Sequence, residues 1–335
     1  MKSFVKCLIT VCVLLGSFVG AGFATGKEVF LFFHGGNVYY IAAVCFICFS
    51  LCFYLIFYVG KKFNADSIDG LFSSLFGKYE KIPRFSLLFC YFLLLSTMLA
   101  GANMCLAPLI NLDARIPLFS AVTAALCGLA LMYNLKGLKI INALFVPVMM
   151  FFIIFICCKG IPDAALGEES AISPSLSYVS FNSLLLCGVM LPLGRELTKK
   201  EMLICSLCSA GLIVLLLVLI ILRLNDGVFA YIPMPLIYLA KERGKPLFYI
   251  ATAVLYLSVV TSVISNALPL INSVNIKIKN KFLSVTAVMF AATLFSLLGF
   301  SSIIDASYPL IALFGIIFIA SLLHSVFARK ELKLG

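Results

Sequence analysis

Between residues 16 and 28 the chain reads Gly-Ser-Phe-Val-Gly-Ala-Gly-Phe-Ala-Thr-Gly-Lys-Glu, inside a stretch that is otherwise apolar. Each glycine weakens a helix by roughly 1 kcal/mol relative to alanine. Gly16, Gly20, Gly22 and Gly26 therefore mark a place where a helix unwinds. Unwinding near 20–23 frees carbonyls at one half-helix end and N–H groups at the other. Carbonyls suit a hard cation such as Na+, and N–H groups suit a carboxylate or other anionic group. Within a membrane, freed backbone is tolerated only where it lines a cavity or holds a ligand. Gly20, Ala21, Gly22, Phe23, Ala24, Thr25 and Gly26 are accordingly expected to contact a substrate. The competing expectation is a small-residue packing face, because Gly16/Gly20 and Gly22/Gly26 both have G-x-x-x-G spacing.

Lys27 and Glu28 follow the break directly, and ionisable residues inside a span are functional candidates. Glu28 has three open roles: a proton-coupling carboxylate, a gate partner for Lys27, or a structural acceptor. About 160 residues later, Tyr178-Val-Ser-Phe181-Asn182-Ser183 leads into Gly188 and Pro192, which can interrupt helical hydrogen bonding. A second broken helix is expected there, with Tyr178, Phe181 and Asn182 facing substrate; interhelical hydrogen bonding explains the same polar residues. Ser258, Thr261, Ser262, Ser265 and Asn266 recur at i, i+3, i+4, i+7 and i+8, one polar stripe on an apolar helix. Hydroxyls are ligands for a hard cation, or they bond back to carbonyls of their own helix. Ser96, with Tyr91, Thr97 and Asn103, is a further candidate for the site wall.

The elements that must hold these residues are membrane spans. Of the 335 residues 63% are hydrophobic and 12% charged, half the charge of a soluble domain, and mean hydropathy is +1.15. Apolar runs long enough to cross a bilayer fall at about 4–33, 38–59, 85–110, 117–134, 139–158, 174–197, 202–222, 246–272, 282–299 and 305–327. With the N-terminus inside, 18 of the 25 Lys/Arg fall on the inner side and six on the outer. That bias predicts a multi-pass protein of the cell (inner or plasma) membrane with both termini cytoplasmic. The net charge of +11 thus reflects membrane topology, and no nucleic-acid partner is expected.

Helices two to five and seven to ten start at offsets of 161–166 residues. An odd number of helices between copies inverts the second copy. The expected fold is therefore an all-α membrane protein of about ten transmembrane helices, a 5+5 inverted-topology repeat with broken helices 1 and 6. It forms one domain over 1–335, with repeat one at about 4–158 and repeat two at about 174–327. The long connections carry Leu71, Phe72, Leu75 and Phe76 on one side and Phe229, Ile232, Leu236, Ile237 and Leu239 on the other, both expected as interfacial amphipathic helices. The 13 cysteines lie almost entirely in apolar runs and are expected as free apolar residues. No enzyme is expected: the two histidines, His34 and His324, are far apart, and no His/Cys/Asp/Glu group has ligand spacing.

The string Val-Gly-Ala-Gly-Phe-Ala-Thr-Gly-Lys-Glu at 19–28 resembles the YkvI-like bacterial membrane proteins, which are similar to the amino acid–polyamine–organocation (APC) superfamily of LeuT-type fold. Val-Ser-Phe-Asn and Leu-Pro-Leu-Gly in helix six look like the same family. The resemblance spans essentially the whole chain and implies a mid-membrane substrate between helices one, three, six and eight. It further implies a sodium site made by the carbonyls of Gly16, Val19 and Ser258 and the hydroxyls of Thr261 and Ser262. Lys27-Glu28 replaces the apolar continuation usual after the break. The expected function is ion-coupled symport of a small metabolite, an amino acid or a related zwitterionic or anionic compound, by alternating access. No cofactor is expected beyond Na+ or H+ as coupling ion. A membrane sensor or scaffold that keeps the transporter fold is the alternative.

Overall fold

Runs of 20 or more apolar residues satisfy their own backbone groups by coiling, the one local solution open to a single segment in hydrocarbon. The computed structural model describes residues 2–65, 71–72, 77–113, 116–132, 138–158, 171–225 and 227–331. The first stretch forms three pieces: α1 (Lys2–Phe18), α2 (Ala21–Thr25) and α3 (Lys27–Phe33). There follow α4 (Val38–Lys62), α5 (Lys81–Leu106), α6 (Leu118–Met132), α7 (Leu138–Cys157), α8 (Ile172–Glu196) and α9 (Lys199–Leu224). The rest is α10 (Pro235–Glu242), α11 (Lys245–Ile278), α12 (Lys281–Ser296) and α13 (Phe300–Glu331). Among the described residues six helices are long and apolar enough to cross a membrane and four more are shorter and apolar. Large apolar side chains such as Phe4, Phe85 and Phe151 are exposed on their outer faces, where lipid would cover them. The protein is an all-α, multi-pass membrane protein.

Helix starts follow local chemistry. The Asn37 side chain accepts from Tyr39 N–H and Tyr40 N–H at the start of α4. Thr198 and Glu201 form a reciprocal capping box at the start of α9, satisfying two otherwise orphaned donors.

The spans sort into two packed sets. In one, α4 lies along α8 and α9, and α1 packs on the same two helices. In the other, α5 lies along α11, α6 and α12, with α12 also against α6 and α11. The final helix, α13, rests on α8 and α5, one from each set. The α4–α8 crossing is backbone to backbone. A Cβ on Gly60 would run into the Leu191 carbonyl, and a Cβ on Gly194 into the Phe57 carbonyl, so these glycines set how closely the helices approach.

Three expectations need correction or restriction. Helix six is not broken: α8 runs without interruption from Ile172 to Glu196, with Pro192 inside it. One proline removes a single N–H, the partner of the Gly188 carbonyl. The tight contact with α4 around Leu191 and Gly194 holds the helical path on both sides of that lost bond. The third span starts earlier than expected, at Lys81, and its end over 107–110 is a 3-10 turn (Ala107–Ile110). Of the first amphipathic segment, Leu71 and Phe72 are buried, while Leu75 and Phe76 lie outside the described residues. The second segment forms a 3-10 turn, Gly227–Tyr231, and then α10.

Candidate functional site

The break between α1 and α2 has a defined hydrogen-bond pattern. Val19 N–H still reaches Leu15 O at 2.8 Å, but Gly20 N–H turns to Phe18 O at 2.7 Å instead of Gly16 O. Gly20 itself is extended (φ −82°, ψ 179°), and the ladder resumes with Ala24 N–H to Gly20 O at 3.0 Å. The carbonyls of Gly16 and Val19 thereby lose their usual i+4 amides. One turn later Gly26 adopts φ +79° and separates α2 from α3. That conformation favours glycine, and a Cβ there would meet Leu224 Cδ1 at 2.7 Å.

A cavity of about 390 Å³ lies beside this break, on the side that carries α1. Gly16 to Gly20 and Gly22 form one wall, Tyr91, Leu94 and Met98 of α5 another. Residues from Phe181 to Val189 on α8, Thr261 to Pro269 on α11, and Tyr308 on α13 complete it. Ser17 and Leu268 on this wall are exposed. On the other side of the break the chain is sealed, because Leu224 and Leu236 press on Gly26. There Lys27 Nζ donates to Ala230 O at 2.8 Å and lies 5.7 Å from the Phe30 ring centre.

The cavity brings together Gly16, Val19, Gly20, Gly22, Glu28, Tyr91, Phe181, Asn182, Gly188, Thr261, Ser262, Ser265 and Asn266 from the residues singled out by sequence. Among the described residues Glu28 is the one carboxyl group on its wall, and no basic side chain lines it. The carboxylate fits because residue 22 is glycine: a Cβ there would stand 2.5 Å from Glu28 Oε2 and 2.6 Å from Tyr308 Oη. Tyr178 and Asn182 on α8 face the same carboxylate. Even so, Glu28 Oε1, Tyr178 Oη and Tyr308 Oη are buried and have no hydrogen-bond partner. Buried polar atoms without partners are costly, so this cluster offers unspent hydrogen-bonding capacity beside the cavity.

Other expected site residues sit elsewhere. Phe23 packs edge-to-face on Phe18 at 5.2 Å, behind that wall residue and not on the wall itself, and Ala24 is buried. Thr25 braces the α2–α3 joint: its hydroxyl donates to Gly22 O at 2.8 Å and accepts from Lys27 N–H at 3.3 Å. Ala21 opens α2. Ser96 bonds back to Phe92 O at 2.9 Å. Tyr178 is enclosed by Phe18, Phe32, Phe33 and Phe49, with only its hydroxyl end toward Glu28. Ser258 is buried, and its carbonyl accepts the Thr261 hydroxyl at 2.9 Å, so two members of the implied sodium set bond each other. The Lys27 ammonium turns to Ala230 O on the sealed side while the Glu28 carboxyl borders the cavity, so the two side chains point apart. Sequence reasoning missed Tyr308. Its signal was the polar string Asp305-Ala-Ser307-Tyr308 inside an apolar span.

The donor set near the break is all oxygen: the Gly16 and Val19 carbonyls and the Thr261 and Ser262 hydroxyls, with Ser262 Oγ 3.4 Å from where a Gly20 Cβ would stand. Oxygen ligands are the type that hard cations take.

No protein-family profile matches the chain. The membrane protein YkvI of Bacillus subtilis (strain 168) is 27% identical over 341 residues, covering 95% of this chain and 96% of YkvI. YyaD of the same organism is 23% identical over 326 residues, covering 92% of this chain and 94% of YyaD. Among solved structures, Mhp1, a nucleobase-cation-symport-1 family transporter in a closed conformation with bromovinylhydantoin bound, superposes with a TM-score of 0.64 at 12% identity. That match covers 96% of this chain and 78% of Mhp1. The chain is therefore similar to YkvI along nearly its full length, as the string at 19–28 led one to expect, and its helices share the fold of the transporter Mhp1.

Proposed function

We propose that this chain is a secondary active transporter, an ion-coupled symporter that moves a small metabolite, an amino acid or related compound, by alternating access. The observation that carries the proposal is the break at 19–20, whose freed carbonyls and neighbouring Glu28 border a cavity about 390 Å³ in volume. That size suits a small organic molecule. One carboxylate and no basic side chain on the wall favour a ligand with a protonated amine, a zwitterion over a bare anion. Aromatic faces of Phe18, Tyr91, Phe181 and Tyr308 around the same space would attract such an ammonium group further.

The helix sets supply the moving parts. Helices one, two, six and seven of the ten-span scheme correspond to α1–α3, α4, α8 and α9; three, four, eight and nine to α5, α6, α11 and α12. Each set pairs helices that a 5+5 inverted repeat makes equivalent, with repeat one over about 4–158 and repeat two over about 174–327. Rocking of the first set against the second would open the cavity to each side in turn. In this scheme both termini are cytoplasmic, the protein sits in the cell membrane, and the present cavity faces the cytoplasm. Na+ would bind at Gly16, Val19, Ser258, Thr261 and Ser262; proton coupling would instead use Glu28.

The experiment is uptake of labelled amino acids into proteoliposomes under an imposed Na+ or H+ gradient. Gradient-driven accumulation supports the proposal. Ligand-induced thermal stabilisation with no flux under either gradient would make the chain a sensor.

A further inference from the structure

A second cavity, about 310 Å³, opens between the start of α5, the middle of α13 and Leu184 of α8. Its walls are hydrocarbon and aromatic: Ile82 and Leu87 on α5, Phe314 and Phe318 on α13, and Phe72, set edge-to-face on Phe318 at 6.1 Å. Its two serines spend their protons on their own helices, Ser86 on Ile82 O at 3.1 Å and Ser321 on Ile317 O at 2.8 Å. A guest here meets hydrocarbon and aromatic surface and little else.

The mouth has a different character. Tyr79 and Ile82 beside it are 61% and 69% exposed, and Lys78 and Lys81 are exposed next to them. Arg84 follows within a turn, and Glu80 is the one acid in 77–84. α5 begins at this point with Glu80 at its N-cap, making no side-chain cap bond, and with no acidic residue in its first turn; that one carboxylate offsets the helix dipole and leaves the three basic residues of the rim in excess. A dry slot under a basic rim at a helix end matches a molecule that a bilayer supplies, a lipid with a negative headgroup.

We propose that this cleft binds one acyl chain of an anionic phospholipid, with Lys78 and Lys81 beside its phosphate. The walls come from α5 in one helix set and, through Leu184, from α8 in the other, so a lodged chain touches both sets.

The test is native mass spectrometry of the full-length protein in mild detergent after incubation with phosphatidylglycerol or phosphatidylcholine. Wild-type protein is expected to retain phosphatidylglycerol with about a tenfold preference. Lys78→Gln with Lys81→Gln should remove most of the preference, and Leu87→Trp, which fills the slot, should lower occupancy by both lipids. Thermal unfolding of each variant shows that it is folded, and the surface lysine pair carries the test if Leu87→Trp is not. Equal retention of the two lipids by wild type, or an undiminished preference in the lysine variant, overturns the proposal.

Discussion

The carboxylate of Glu28 occupies the space that a side chain at residue 22 would need, 2.5 Å from Oε2 to a Cβ built on Gly22. Gly22 belongs to α2 and Glu28 to α3, so the two short helices are locked together through what one of them lacks. Replacing that absence with a methyl group is the most local perturbation available. Gly22→Ala should push Glu28 and Tyr308 off the cavity wall, lower thermal stability by about 1–3 kcal/mol as overpacked cores do, and cut uptake at least severalfold. Circular dichroism melting and proteoliposome flux measure the two effects separately.

Glu28→Gln keeps the shape and removes the charge. If Glu28 faces an amine, affinity for amino acids should fall about tenfold or more, because charged hydrogen bonds contribute about 1.5–3 kcal/mol. If it carries the coupling proton, the variant should still exchange substrate across the membrane while losing accumulation under a proton gradient. Binding by calorimetry and flux under each gradient separate these outcomes; a variant indistinguishable from wild type in both makes Glu28 structural.

The sodium assignment rests on oxygens that the break leaves near α11. Thr261→Ala with Ser262→Ala should abolish any Na+-dependent rise in melting temperature and any Na+-driven uptake. Retention of both would remove the ion from this site.

On the sealed side, Lys27→Met deletes the bond to Ala230 O while keeping most of the stem. Hydrogen exchange across Gly227–Tyr231 should quicken, since that turn loses its tie to α3. Unchanged exchange would show that the apolar contacts of Leu224 and Leu236 hold the seal alone.

The first interruption was legible because four glycines within eleven residues weaken a helix locally, although G-x-x-x-G packing explained the same spacing until the Gly20 turn was on the page. The polar stripe on α11 was legible for a related reason, as hydroxyls recurring at helical spacing must share a face. Side-chain direction was not. Lys27 and Glu28 are adjacent in sequence, yet one turns to Ala230 and the other to the cavity. The short α2, ended by Gly26, resets the helical phase, and no periodicity carries across it. Pro192 misled for the opposite reason. Its local cost is visible in sequence, but the close α4 contact at Gly194 that keeps α8 straight is a property of the packed pair. Tyr308 was hidden because a single phenol in the last span gains meaning only when α13 is laid against α8.

The central claim is that the cavity beside residues 19–20 carries substrate across the membrane. Substrate counterflow in proteoliposomes, with a panel of amino acids and with wild type and Gly22→Ala side by side, reads it most directly. The account predicts counterflow of at least one amine-bearing compound by wild type and a severalfold loss in the variant. Stabilising ligands that never exchange across the membrane, or equal counterflow by the two proteins, would contradict it.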